Sequence, residues 1–346
     1  MSFKKNLNNS DAFMRVGDLN NPIDDYEISQ AINCLSGGGI VGFPTETVFG
    51  LGADASNVKA VRSVYEAKSR PKKHPLILHL SGVDQIDDWV VDAPPSLIIL
   101  ADKFWPGPLT IILKAKPRVA DHFSGNMDTV AIRLPSHPVA KLLLEGLGRG
   151  IVAPSANRFG RLSATSSDHV FEELGQKVDF IIKADSCPIG LESTIVDLSG
   201  DTPAILRPGI IGSKAISDAL GGVVLRSDNH NPKAPGSHPS HYAPLTPLTV
   251  VHCDKLEKFL HQDAQGLSVA VLGTSARPRY SGAAVWQAAP ANARDYGKEL
   301  YALLRRLDHS GCDLIAVEEP LYLPDWLPVH DRLKKSSIPN LALKEF

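Results

Sequence analysis

The segment KSRPKKHPLILH, residues 68–79, places four positive charges and a histidine directly before an apolar run. The preceding residues 60–67 have helical spacing, and Pro71 and Pro75 prevent a helix from continuing through the basic cluster. The apolar residues 76–80 are typical of a strand. A helix, a basic loop and a strand in this order indicate an α/β fold that carries a cationic loop.

Two interpretations of this loop remain open from its residues alone. Arg70 offers a planar fork for two phosphate oxygens and Lys68 a compact point charge, so the pair suits a polyphosphate better than a single carboxylate. Alternatively, the cluster is a solvated charged face. The segments around it favour the first interpretation.

Length, charge and cysteine content limit the classes of protein. The 346 residues suffice for two domains, and a net charge of -2 excludes a global attraction to nucleic acid or membranes. The four cysteines are far apart and form no C-x-x-C pair, which argues against a zinc site or a disulfide framework. The chain shows no apolar run of signal-peptide or membrane-span length, so we expect a cytoplasmic protein with a loose N-terminal arm.

A second candidate binding segment lies upstream of the basic loop. A helix over 24–35 ends at three glycines, a strand follows over 40–43, and residues 44–54 combine threonines, Glu46 and close glycines in what we interpret as a binding loop. The pattern at 50–55 resembles a dinucleotide fingerprint. However, no strand directly precedes it, as that motif requires.

Downstream strands end on further polar or charged residues. Arg133 lies inside the apolar strand 129–135 and needs either a bound anion or a salt bridge in the core. Residues 154–165, rich in hydroxyl and amide groups, follow strand 151–153, the usual place for ligand contacts in an α/β sheet. Ser163 is either a ligand donor or a helix N-cap. Arg207 is a third cation at a strand end.

The last third of the chain is predicted to be separate. Residues 226–247 have the composition of a linker, and His230, His238 and His241 within it match no metal motif in their spacing. Strands at 248–253, 267–273, 283–287 and 313–318 alternate with helices at 255–262 and 291–308. This alternation predicts a small parallel sheet with covering helices. Without a visible catalytic constellation, this half is interpreted as auxiliary.

Five motifs in one order closely resemble the Sua5/YrdC family. They are the runs at 43–52, 68–76, 131–135, 154–157 and 192–194. The linker residues 241–244, HYAP, resemble the two-domain Sua5 branch. Related linkers commonly read PGMKYRHY, whereas residues 235–242 here read PGSHPSHY. Two cations of the related linkers are therefore missing.

The resemblance implies a fold and a domain division. It implies an α/β protein with a YrdC-like twisted open sheet and a concave cleft, followed by a smaller Rossmann-like parallel-sheet domain. The expected division is an N-terminal arm at 1–23, a YrdC-like domain at 24–225, a linker or lid at 226–247 and a C-terminal domain at 248–346. The linker is expected to fold back over the cleft through Tyr242.

The resemblance also implies an activity. These proteins are L-threonylcarbamoyladenylate synthases, nucleotidyltransferases that join L-threonine, bicarbonate and ATP, with Mg²⁺, and release pyrophosphate. Their product serves the threonylcarbamoyl modification of tRNAs that read codons beginning with A. The tRNA is an indirect partner, through a downstream transferase complex. The alternative is a non-catalytic RNA-binding module that uses the basic cleft, which the net charge of -2 disfavours.

The site residues that the resemblance implies fall into two groups. The ATP contacts are Lys68, Arg70, His74, Thr129, Ser155, Asn157, Ser163, Arg207 and Tyr242. The L-threonine contacts are Thr47, His79, Arg133, Ala153 and Ser193. Lys68 and Arg70 are the expected catalytic residues, and no protein metal ligand is implied.

Overall fold

The computed structural model describes residues 13–15, 25–117, 123, 125, 127–184, 186–223, 242–278 and 281–338. Residues 226–241 of the predicted linker, which include His230, His238 and His241, lie outside these ranges. Within them, the chain forms a ten-stranded sheet and a four-stranded sheet. The α/β fold class with a second, smaller parallel sheet is therefore confirmed.

The first sheet is mixed. Its strands in chain order are β1 (Phe13–Arg15), β2 (Val41–Phe43), β3 (Gly50–Asp54), β4 (Ile77–His79), β5 (Leu109–Lys114), β6 (Thr129–Arg133), β7 (Ile151–Val152), β8 (Phe180–Lys183), β9 (Thr194–Asp197) and β10 (Ala204–Arg207). Their spatial order is β1-β8-β2-β3-β7-β4-β6-β5-β9-β10. β4, near the centre of this order, pairs with β6 in parallel and with β7 in antiparallel register.

Helices cover this sheet and have recognisable sequence boundaries. They are α1 (Asp25–Ser36), α2 (Val58–Lys68), α3 (Pro95–Phe104), α4 (Pro138–Leu147), α5 (Ser167–Leu174) and α6 (Ser213–Ala219). The Asn57 side chain caps α2 by accepting from two main-chain amides. Helix α4 has Pro138 at its start and ends at Gly148, whose φ of 66° is a left-handed conformation that glycine adopts easily.

The second sheet contains β11 (Leu248–Val251), β12 (Val269–Gly273), β13 (Val285–Ala288) and β14 (Leu314–Glu318), in the order β11-β14-β12-β13. All of its pairings are parallel, as the alternation of strands and helices predicts. The accompanying helices are α7 (Cys253–Lys258), α8 (Ala293–Asp308) and α9 (Leu327–Ser336). No helix in the described ranges has the length and apolar character needed to cross a bilayer.

Some sequence expectations were wrong. Residues 50–54 form the buried strand β3 and not a loop, which also excludes a dinucleotide turn there. Gly52 is required by packing, because a Cβ would lie 2.7 Å from Cε1 of the Phe43 ring. Part of the arm expected to be loose forms β1. Helices α5, α6 and α9 were not predicted, since polar residues make up much of each.

Candidate active site

A cavity lies where β3, β4, β6, β7 and β9 approach one another, and we call it the arginine cavity. It is lined by Arg70, Arg133 and Arg207. Six other predicted site residues line it as well, namely Thr47, His79, Ala153, Ser155, Ser193 and Tyr242. The structure therefore gathers nine of the fourteen predicted residues around one space, although they are far apart in sequence.

Arg70 enters the cavity because the chain turns sharply after α2. Ser69 adopts a left-handed conformation with φ of 52° and ends the helix. The Arg70 guanidinium is buried, donates to the main-chain oxygens of His74 and Pro75 at 3.3 and 2.9 Å, and lies over the Phe159 ring. Burial lowers its pKa to about 10, which still leaves it charged at neutral pH. The interpretation as a solvated face is wrong for Arg70.

Lys68 has a different place from Arg70. It is buried, and its ammonium group donates to the main-chain oxygens of Ser155, at 2.5 Å, and of Asn157. Burial, with the nearby Arg70 charge, holds the pKa of Lys68 well below its usual value. Lys68 thus connects α2 to the segment that carries Ser155 into the cavity wall. Only Lys72 and Lys73 of the basic cluster are exposed.

Arg133 forms the core salt bridge, which is one of the two interpretations of its place inside a strand. Its Nη2 lies 2.8 Å from the Glu46 carboxylate, and its Nη1 donates to the Thr47 hydroxyl at 2.8 Å. Burial acts to raise the pKa of Glu46, but the Arg133 guanidinium outweighs it and holds that pKa below its usual value. The Arg133 Nε is buried and has no hydrogen-bond partner among the described residues. This fork therefore retains a donor for a ligand carboxylate.

His79 is a neutral group in the cavity wall. It is buried at the end of β4, beside Arg133 on the paired strand β6. Burial, and next the Arg133 charge, lowers the pKa of His79 to about 3. The imidazole therefore offers a hydrogen bond and no charge over the physiological pH range.

We expect His79 to make stability dependent on pH. Between pH 6.5 and about 3 the unfolded chain binds a proton at this histidine that the folded protein excludes. The free energy of unfolding therefore decreases as pH falls through this window, by up to about 1.4 kcal/mol per pH unit from this group. Urea unfolding of wild type and His79→Gln at several pH values measures this contribution. Equal slopes for the two proteins would contradict the burial of a neutral imidazole.

Ser193 and Arg207 form another part of the wall. The Arg207 guanidinium donates to both the main-chain oxygen and the hydroxyl of Ser193, at 3.0 Å each. Thr110 shares a further hydrogen bond with that hydroxyl. The neighbouring Glu192 also lines the cavity and accepts a hydrogen bond from Ser163 at 2.5 Å. Ser163 is thus not a helix N-cap, and Ser166 caps α5 instead.

Five predicted residues do not line the cavity directly. They are Lys68, His74, Thr129, Asn157 and Ser163. Four of them lie one contact away: His74 packs on Phe159, which Arg70 also contacts, while Asn157 and Lys68 support the Ser155 segment. Ser163 supports Glu192. Thr129 is buried at the start of β6, four residues from Arg133.

Tyr242 enters the cavity wall from the end of the linker. It has a positive φ of 63° and is almost completely buried. Its ring lies 5.9 Å from that of Tyr301 on α8, and the Arg332 guanidinium lies 5.2 Å from its centroid. The predicted contact of the linker with the cleft is therefore present at Tyr242.

Two acidic residues of the site were not among the predicted contacts. Glu46 and Glu192 belong to motifs that were recognised, but each is paired with an arginine from a distant part of the chain. The sequence feature that could have identified both residues is a glutamate within a run of hydroxyl and apolar residues. A second cavity, of about 500 Å³, lies beside Leu191 and the start of α8, and it contains none of the predicted residues.

The sequence of this chain is similar to known protein families along most of its length. The Sua5_yciO_yrdC family, described as telomere recombination, matches residues 33–209, and a family described as the threonylcarbamoyl-AMP synthase C-terminal domain matches residues 211–337. The threonylcarbamoyl-AMP synthases of Pyrococcus abyssi and Bacillus subtilis are 35% and 36% identical to this chain over 91% of its length, and 95% and 94% of those proteins are covered.

A solved structure is similar to this fold over nearly the whole chain. The crystal structure of Pyrococcus abyssi Sua5 complexed with L-threonine superimposes with a TM-score of 0.87 at 34% identity, covering 94% of this chain and 97% of that one. Fold and cavity define a two-sheet α/β protein with an internal cavity lined by three arginines. This chain belongs to the Sua5/YrdC family, in its two-domain form.

Proposed function

We propose that this protein is an L-threonylcarbamoyladenylate synthase, a nucleotidyltransferase. The observation that carries the proposal is the arginine cavity, where Arg70, Arg133 and Arg207 surround one space lined with hydroxyl groups. Buried guanidinium groups stabilise anions much more strongly than exposed ones do. ATP and a carbamate intermediate are both anionic, and the similar proteins are named threonylcarbamoyl-AMP synthases.

The Arg133 side of the cavity suits L-threonine. Arg133 has a free Nε donor, and Thr47, His79 and Ser193 add small polar groups beside it. An amino acid carboxylate pairs well with such a fork, and hydroxyl groups are able to recognise the threonine side chain. The Pyrococcus abyssi relative has been solved with this amino acid bound.

The Arg70 and Arg207 side suits the phosphates of ATP. In the proposed reaction the threonine amine combines with bicarbonate to give an N-carboxylate and water. An oxygen of this N-carboxylate then attacks the α-phosphorus of ATP, and the bond to pyrophosphate breaks. No covalent nucleophile of the protein is needed, because positioning and charge stabilisation supply the catalysis.

Magnesium fits this site as a companion of ATP. Glu46 and Glu192 are both held by arginines, so the ligands of Mg²⁺ would come mainly from phosphate oxygens and water. When bound, the ion would neutralise charge on the phosphates. The product would then serve a transferase that modifies tRNA, which makes tRNA an indirect partner. The buried positions of the three arginines do not provide a surface track for RNA.

We expect pyrophosphate release from ATP to require both bicarbonate and L-threonine, because neither compound alone supplies the attacking N-carboxylate. Serine is expected to be a poorer substrate, since one methyl group in an apolar pocket is worth about 1–3 kcal/mol. A coupled pyrophosphate assay with each component omitted in turn measures this requirement. Release without bicarbonate, or equal rates with serine, alanine and threonine, would contradict the proposed substrate.

A further inference from the structure

The carboxylate of Glu192 in the cavity wall accepts hydrogen bonds from the N-terminal region and from the C-terminal region of the chain. It accepts from the Tyr301 hydroxyl at 3.0 Å and from Nε of Arg332 at 2.7 Å, in addition to its bond with Ser163. Tyr301 belongs to α8 and Arg332 to α9. Two of these three donors thus come from the C-terminal region that was interpreted as auxiliary.

Arg332 also contacts two further segments of the wall. Its Nη1 donates to the main-chain oxygen of Pro208, next to Arg207, and its guanidinium lies over the Tyr242 ring. One turn later on α9, the Ser336 hydroxyl donates to the main-chain oxygen of Tyr242 at 2.7 Å. A single fully buried arginine therefore connects three separate segments that surround the cavity.

The loop that carries Glu192 is in close contact with α8. Gly190 has φ of 75°, and a Cβ there would lie 2.2 Å from the main-chain oxygen of Lys298. A Cβ on Gly297 would lie 2.9 Å from the Leu191 side chain. At Gly190 both the positive φ and the main chain of Lys298 require glycine, so the position of the loop depends on the helix.

The contacts to Glu192 matter because its negative charge lies in the wall of the cavity. Under the proposed function the cavity receives ATP and a carboxylate, and an uncompensated Glu192 would repel both. Burial alone would raise the pKa of Glu192, but the charges of Arg332 and Arg207 outweigh it and lower that pKa to about 2. Glu192 is therefore ionised, and its charge is balanced by Arg332 of the C-terminal region together with Arg207 of the first sheet.

We infer that Tyr301 and Arg332 are positioning residues of the C-terminal region, which hold Glu192 and Tyr242 in the wall of the arginine cavity so that anionic substrates bind there. The inference rests on the proposed function for the identity of those substrates. It gives the C-terminal region a direct part in forming the site.

The test compares Tyr301→Phe with Tyr296→Phe on the same helix. The Tyr296 hydroxyl is buried and has no hydrogen-bond partner among the described residues, so its removal is a matched control. Calorimetry with L-threonine and with a non-hydrolysable ATP analogue measures binding, and product formation is measured alongside. We expect Tyr301→Phe to weaken binding of at least one ligand about tenfold, as for loss of a hydrogen bond to a charged group, and Tyr296→Phe to match wild type.

A second pair of variants separates charge balance from simple packing. Arg332→Met is expected to weaken ligand binding about a hundredfold, and adding Glu192→Gln should recover most of that loss because the uncompensated charge is removed. If Arg332→Met does not fold, the comparison of Tyr301→Phe with Tyr296→Phe tests the inference by itself. Wild-type binding by Tyr301→Phe would overturn the inference, whereas failure of wild type to form product would overturn the proposed function alone.

Discussion

Arg133→Met is expected to abolish measurable product formation and to lower the free energy of unfolding by about 3–5 kcal/mol. The substitution leaves the buried Glu46 carboxylate without the guanidinium that lies 2.8 Å away. It also removes the hydrogen bond from Arg133 to the Thr47 hydroxyl, and the Nε that has no partner within the described part of the chain. Chemical denaturation and the product assay measure the two effects separately.

The double variant Arg133→Met/Glu46→Gln is the control for this prediction. Removing both charges of a buried pair costs much less than removing one, so most of the lost stability should return. Product formation should not return, because the fork that we propose for the threonine carboxylate is still absent. Recovery of turnover in the double variant would show that Arg133 only neutralises Glu46.

Arg70→Ala is expected to reduce turnover about ten- to a hundredfold, the effect of losing charge-assisted hydrogen bonds worth roughly 1.5–3 kcal/mol. The loss of its bonds to the His74 and Pro75 oxygens should also reduce stability slightly. Arg70→Lys should recover only part of the rate, because a lysine lacks the fork. Steady-state kinetics at saturating ATP test this expectation.

Lys72→Ala provides the matched control for Arg70. Lys72 belongs to the same basic cluster but is exposed to solvent. Its replacement should leave kcat and KM unchanged. If Lys72→Ala and Arg70→Ala were equally impaired, the cluster as a whole would attract substrate from solution, and the buried position of Arg70 would not be decisive.

The site residues that could be predicted are those whose residue type is unusual for the surrounding sequence. An arginine inside an apolar strand needs a partner wherever the strand lies, so Arg133 was recognisable from its neighbours alone. The loop glycines were interpreted less well. Gly52 is small because the Phe43 ring packs against it, and a sequence does not reveal which ring will be there.

The contribution of the C-terminal region could not be predicted for a related reason. Arg332 is 140 residues from Glu192 in sequence and lies in a helix that is largely polar. An arginine on such a helix usually faces solvent. Arg332 is instead fully buried, because it contacts the loop residues Glu192 and Pro208 of the N-terminal region. Contacts between distant segments depend on how domains pack, which local patterns do not encode.

The most direct test of the account is mass spectrometry of the product formed from ATP, Mg²⁺, L-threonine and bicarbonate labelled with a heavy carbon isotope. We expect one compound that contains AMP, threonine and the labelled carbon, formed in equal amount to pyrophosphate. Omission of threonine or bicarbonate should prevent its formation. Pyrophosphate released without such a compound, or a product that contains AMP and threonine but no label, would contradict the proposed synthesis of threonylcarbamoyl-AMP.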